Sequence, residues 1–168
     1  MPKFLSLTLL AACVLSLVSC ATPTSPVAKA SAFTPKRLEK VRTTAYSHNE
    51  GSGARNAIGR RLSGAGLMSA ASDWSRFPLG TRFRIVESGD EYVIDDYGGA
   101  LVGTNTIDLY KQPRAMRRWG VRRVDIDILH WGSETESLKV LRPRRRVGIV
   151  RRMIASLEKK ESEKKKKS

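Results

Sequence analysis

Asp95–Tyr110, DDYGGALVGTNTIDLY, is the stretch around which the rest of the chain is organised. It sets the pair Asp95/Asp96 and the lone Asp108 on either side of a turn that carries Gly98, Gly99 and Gly103. Paired glycines let the backbone take positive φ and let another chain or a substrate come close, which makes Gly98 and Gly99 candidate substrate contacts. In Ile107-Asp-Leu-Tyr110, strand alternation turns Ile107 and Leu109 one way and Asp108 and Tyr110 the other. A carboxylate and a phenol then share one face, opposite an apolar pair. A single Asp is most often a solvated surface group; the neighbouring motifs argue for more.

Upstream stand Thr44-Ala-Tyr-Ser47 and Asp73-Trp-Ser-Arg-Phe-Pro78-Leu-Gly-Thr81, and downstream come Ala115, Gly120-Val121 and a strand at Val124–Leu129. With Asp96-Tyr-Gly-Gly-Ala100 and Ile107-Asp-Leu-Tyr110, these motifs resemble, in sequence order, the 3D domain family, named for three aspartates. That family belongs to the RlpA-like double-psi β-barrels and includes the C-terminal region of membrane-bound lytic murein transglycosylase A. The resemblance covers about Arg42 to Leu129. It implies a mainly β fold: a small six-stranded double-psi barrel with a short helix, followed here by a C-terminal basic amphipathic helix.

The resemblance also implies an activity, cleavage of peptidoglycan glycan strands without a cofactor; the alternative is a non-catalytic module that, like related double-psi barrels, holds glycan without cutting it. Asp108 matches the catalytic aspartate. Breaking a β-1,4 glycosidic bond needs a general acid at the leaving oxygen while positive charge builds on the sugar. The same carboxyl can then take the C6 hydroxyl proton of N-acetylmuramic acid, leaving a 1,6-anhydro end, so one carboxyl suffices. Such an acid needs a raised pKa, from apolar surroundings or from a like charge such as Asp96 or Asp73. Asp96 matches the middle aspartate, as a hydrogen-bonding member of the site or as an Asx-type turn before Gly98. Asp73 matches the first, in a catalytic role or as organiser of its loop. Trp74 and Tyr46 either stack on sugar or fill the core, and Tyr110 shares the Asp108 face. Three departures stand out: Tyr97 replaces the usual Thr, Trp74 the usual Pro, and one extra residue in Gly103–Thr106 predicts a bulge ahead of Asp108.

The N-terminus reads as an export signal. One lysine precedes the fifteen apolar or small residues Phe4–Val18, too few for a membrane span, which needs about 20. Leu17-Val-Ser-Cys20-Ala21 looks like a bacterial lipobox, so residues 1–19 are expected to be removed and Cys20 to carry lipid, anchoring the protein to a membrane. An ordinary signal peptide cut nearby is the other reading. Ala21 after the cysteine implies the outer membrane, facing the periplasm, if the source is Gram-negative. Neither cysteine is then left for a disulfide. Residues 20–36, rich in Thr, Ser, Pro and Ala, read as a tether.

Residues 37–131 are expected to form one domain, with strands at Lys40–Tyr46, Gly66–Ala71, Thr81–Val86, Tyr92–Asp95, Thr106–Tyr110 and Val124–Leu129. Ser88-Gly89-Asp90 marks a hairpin. Pro113–Trp119 reads as a short helix stopped by Gly120. Residues 132–168 read as a basic linker, an amphipathic helix over Gly148–Lys160 and a lysine-rich end. From Arg142 onward twelve Lys or Arg face three Glu, against a formal net charge of +15 for the whole chain. Such a run is either solvated charge or an attachment device for anionic envelope polymers; the export signal disfavours nucleic acid. His48 and His130 stand far apart, and no HExxH, CxxC or G-x-S-x-G spacing occurs, so neither a metal site nor a serine-hydrolase elbow is expected.

Overall fold

The computed structural model describes residues 35–50 and 53–167. The expected signal segment, Cys20 and nearly all of the tether lie outside the described residues. Six strands form: β1 (Lys36–Tyr46), β2 (Met68–Ala71), β3 (Arg82–Ile85), β4 (Glu91–Asp96), β5 (Ile107–Tyr110) and β6 (Arg122–His130). They close into a barrel in the order β1-β5-β2-β4-β3-β6. β1·β5 and β2·β4 are parallel pairs, and the other four are antiparallel. All six expected strands are present, and β1 starts four residues earlier than expected. Leu38, in that added segment, pairs with Ile126 and packs against the core.

Period-two alternation builds the barrel. In β4, Tyr92 and Ile94 are fully buried while Glu91 and Val93 are not. In β5, Ile107 and Leu109 point inward. Phe83 and Tyr92 stack at 5.5 Å between ring centres inside the barrel. The Tyr92 hydroxyl accepts a 2.8 Å hydrogen bond from Lys111 Nζ, so the phenol's polar end is not orphaned.

Among the described residues, three α-helices accompany the barrel: α1 (Pro113–Trp119), α2 (Glu134–Leu141) and α3 (Gly148–Lys167). Strand and helix contribute about equally among the described residues, so "mainly β" is corrected to a mixed fold. α1 has the expected bounds and ends at Gly120, whose φ of 62° only glycine takes cheaply. α2 was not anticipated. Its signal was a capping box, Ser133-Glu-Thr-Glu136: the Ser133 hydroxyl accepts from the Glu136 amide at 3.1 Å. α3 runs seven residues further than expected and belongs to the core. Val150, Met153 and Leu157 are at most 1% exposed and join the barrel residues in a single apolar cluster with Leu138 and Leu141 of α2. Burying each such side chain contributes about 1.5–3 kcal/mol.

The seam between barrel and helices is tight at Gly132. A Cβ there would overlap the carbonyl oxygens of Leu79 and Pro78 and the amide nitrogen of Thr81, all backbone. The Gly132 amide donates to Thr81 Oγ1 at 3.0 Å, and the Leu79 amide donates to Ser137 Oγ of α2 at 2.9 Å.

Candidate active site

Strand register lines up the site. Thr44 of β1 pairs with Asp108 of β5, Asp108 with Ala71 of β2, and Ala71 with Asp96 of β4. These four residues form one row across four neighbouring strands. With strands about 4.8 Å apart, the backbones of Asp108 and Asp96 stand roughly 10 Å apart with an alanine between them. The β2–β4 pairing shifts between Ala70 and Ala71, so that Ala70 faces Ile94 while Ala71 faces Asp96. Asp95 is the inserted residue of this bulge. A bulge breaks alternation, which is how the adjacent Asp95 and Asp96 both come to the side of the sheet that carries Ser69, Tyr46 and Asp108.

Asp108 is part-buried. Its Oδ1 accepts a 2.6 Å hydrogen bond from the Thr44 hydroxyl, and Oδ2 has no hydrogen bond among the described residues. Burial, more than any other cause, pushes its carboxyl above the usual range; the nearby Glu50 charge adds to this, while Thr44 and Arg42 oppose it. The like charge is thus Glu50, where Asp96 or Asp73 was expected. The extra residue ahead of Asp108 produces no bulge in β5, whose register with β1 is unbroken from Thr43 to Tyr46. It is absorbed in the preceding turn, where Gly103 takes φ 89° and the Thr104 hydroxyl bonds to Leu101 O and to the Thr106 amide.

Asp96 is 9% exposed and fully engaged. Oδ1 accepts from the Ala57 and Tyr97 amides at 3.0 and 2.9 Å, and Oδ2 from the Tyr46 hydroxyl at 3.3 Å. Burial raises its pKa, and the Asp95 charge adds to the rise. Tyr46 reaches over from β1 to β4, which the small side chain of Ala71 permits. Burial, with Asp96, Asp95 and Asp108 around it, drives the Tyr46 phenol far up, so it stays a proton donor. Tyr46 also meets Tyr110 edge-on at 5.6 Å, and the Tyr110 hydroxyl lies 3.0 Å from His48 Nδ1. The expected shared face of Asp108 and Tyr110 is therefore present, extended on β1 by Thr44 and Tyr46.

Asp95 Oδ2 accepts from Asn56 Nδ2 at 2.7 Å and Ser69 Oγ at 2.8 Å, whereas its buried Oδ1 has no hydrogen bond of good geometry among the described residues. Burial lifts its pKa too. Asn56 and Ala57 belong to the segment between β1 and β2, which therefore covers this end of the row.

The other sequence candidates sit elsewhere or serve the backbone. Asp73 is 2% exposed. Its Oδ1 accepts from the Ser75 amide at 2.8 Å and its Oδ2 from the Gly103 amide at 2.7 Å. It ties the β2–β3 loop to the turn before β5. Trp74 is fully buried, donates its indole N–H to the Asp96 carbonyl at 2.8 Å and meets Tyr97 edge-on; of its two readings, the core one holds. Gly98 has φ −129°, and the left-handed glycine of this turn is Gly103. A Cβ on Gly98 would meet Leu101, and one on Gly99 would meet Ile149 of α3 at 3.6 Å. The close approach at Gly99 is to a helix of the same chain. Among the described residues, no group of three His, Cys, Asp or Glu side chains is placed to hold a metal ion.

Beyond the Thr44–Asp108 pair, the same strand face carries Arg42 and Thr106, joined by a 3.1 Å hydrogen bond. Both line a groove of about 670 Å³ that also takes in Arg76, Arg123, Phe77 and Trp131. Trp131 is 40% exposed and stacks on Phe77 at 6.2 Å. The sequence reading singled out none of Arg42, Thr44, His48, Glu50 or Asn56 as site residues. Alternation along Arg42-Thr-Thr-Ala-Tyr46 was the available signal for the first two.

Compared with known proteins, the chain matches no family model and no curated sequence.

Proposed function

We propose that this barrel is of the double-psi, 3D type and that it cleaves peptidoglycan glycan as a lytic transglycosylase, with Asp108 as its acid and base. The observation that carries the reading is the difference among the three aspartates. Asp73 and Asp96 have both oxygens engaged by donors, whereas Asp108, part-buried and with a raised pKa, keeps Oδ2 free of any partner among the described residues. A protonated Asp108 gives its proton to the leaving glycosidic oxygen as the C1–O bond breaks. Its carboxylate then takes the proton of the C6 hydroxyl while O6 bonds to C1, and no water is consumed. Asp96 and Tyr46 order the neighbouring surface, and the groove beyond Arg42 and Trp131 has room and an aromatic face for further sugar rings. In this reading the protein is an envelope lipoprotein anchored through Cys20, acting on peptidoglycan strands.

A non-catalytic glycan-binding module is the second reading. The Trp131 groove favours it, since aromatic stacking and cationic rims hold sugar acids without any chemistry. The test is digestion of purified peptidoglycan by the wild type and by Asp108→Asn, with released fragments weighed by mass spectrometry. Anhydro ends from the wild type alone are expected. Fragments with ordinary reducing ends would make the protein a hydrolase, and co-sedimentation without any fragments would leave the binding module.

A further inference from the structure

The six arginines between Arg142 and Arg152 are not a loose tail. Arg142 and Arg144 lie in a 3₁₀ turn, Arg145 and Arg146 lead from it into α3, and Arg151 and Arg152 sit on that helix. All six are exposed. Arg142 pairs with Glu158 at 3.5 Å; the other five have no ion pair among the described residues. Two adjoining concavities, of about 660 and 780 Å³, share Arg151 and Ala155. Glu158 is the one acidic residue that lines them.

Their floor is aliphatic. Val147 is 50% exposed amid the arginines, and Ile149 and Ile154 are half-buried beside it. The helix beneath the patch is anchored: Val150, Met153 and Leu157 hold α3 in the core, and Lys160 Nζ donates to the Ser75 carbonyl.

Guanidinium forks match phosphate oxygens in pairs. A polyphosphate chain or nucleic-acid backbone has no use for the aliphatic floor, and residues 132–168 contain none of the aromatic rings that form stacking platforms for bases. Phosphate beside hydrocarbon is the chemistry of a bilayer surface, where basic side chains meet headgroups and apolar ones reach the acyl boundary. We propose that the arginine patch at the start of α3 docks the domain on an anionic lipid bilayer, with Val147 inserted between headgroups. This stands independently of the glycan chemistry.

The test uses the full chain, floated with vesicles of 30% phosphatidylglycerol in phosphatidylcholine and, separately, with pure phosphatidylcholine. The quantity read is the gain in affinity on anionic over neutral vesicles, which cancels charge-independent binding by any other segment. Substituting Arg145, Arg146 and Arg151 together with Gln should reduce that gain by about 100-fold. Val147→Ser should weaken binding to the anionic vesicles by roughly three- to tenfold. Circular dichroism melts confirm that both variants fold. An unchanged gain in the triple variant overturns the proposal. So does binding to a 20-nucleotide DNA strand or to polyphosphate that matches the vesicle affinity per phosphate and ignores Val147→Ser; that result would assign the patch to a soluble polyanion.

Discussion

Thr44 and Asp108 stand opposite each other across the parallel β1–β5 pair, and the Thr44 hydroxyl donates a 2.6 Å hydrogen bond to Asp108 Oδ1. A hydroxyl given to a carboxylate stabilises its charged form, and here it works against the burial that raises the Asp108 pKa. Removing it should push that pKa higher still. A hydrogen bond to a charged group contributes roughly 1.5–3 kcal/mol, so Thr44→Val should raise the Asp108 midpoint by about 1–2 pH units. Carbon-13 NMR of the carboxyl reads this without any assay. The alkaline limb of glycan cleavage should move up by the same amount. An unmoved midpoint would mean that Thr44 does not tune the acid.

Asp73 carries a different expectation. Both its oxygens accept from backbone amides, at Ser75 and Gly103. In Asp73→Asn the new amide group must face one of those N–H donors, donor against donor. Stability should fall by about 2–4 kcal/mol, measured by urea unfolding. The rate of glycan cleavage at a temperature where the variant stays folded should drop far less than in Asp108→Asn. A fold of wild-type stability that has lost all activity would make Asp73 catalytic.

Asp95 predicts a pH dependence of stability. Burial raises its folded-state pKa above the ordinary value of 3.8, so between the two values the folded chain holds a proton there that the unfolded chain has released. Its stabilising contribution is complete below about 3.8 and is lost as pH rises through the folded-state value. Asn at this position cannot titrate. The wild-type Tm should therefore decline relative to that of Asp95→Asn as pH rises above the ordinary carboxylate range, and the slope, not the absolute Tm, is the readout. Parallel curves would place the Asp95 pKa at its ordinary value.

α3 tests whether the C-terminus is an appendage or part of the fold. Met153 is fully buried, and Met153→Ala should cost about 2–5 kcal/mol in chemical denaturation. Loss of residues 142–168 would strip Val150, Met153 and Leu157 from the core, so that deletion should unfold the domain. Charge-only substitutions are the cleaner probe of the arginines. A Met153→Ala variant within about 0.5 kcal/mol of wild type would show α3 to be dispensable.

Local pattern determined much of this protein. Alternation in Ile107-Asp-Leu-Tyr110 set a carboxylate and a phenol on one face, Gly120 ended α1, and the apolar positions of α3 at i, i+3 and i+7 are the ones buried. Each of these depends on residues within a turn or two of one another. The Ser133–Glu136 cap of α2 is local in the same sense.

What tertiary structure decided were relations between distant segments. That Asp95 joins Asp96 on the site face depends on a bulge between β2 and β4, which no spacing within β4 reveals. Tyr46 of β1 finds its acceptor on β4, the like charge near Asp108 comes from Glu50, and Gly99 is bordered by Ile149 of α3. Asp73 has the residue type of a catalytic group, yet its oxygens are taken by two backbone amides, with Arg76 Nε 3.9 Å from Oδ2. A side chain's chemistry is carried in its sequence position; whether its oxygens are left free is set by which distant donors the fold brings to them.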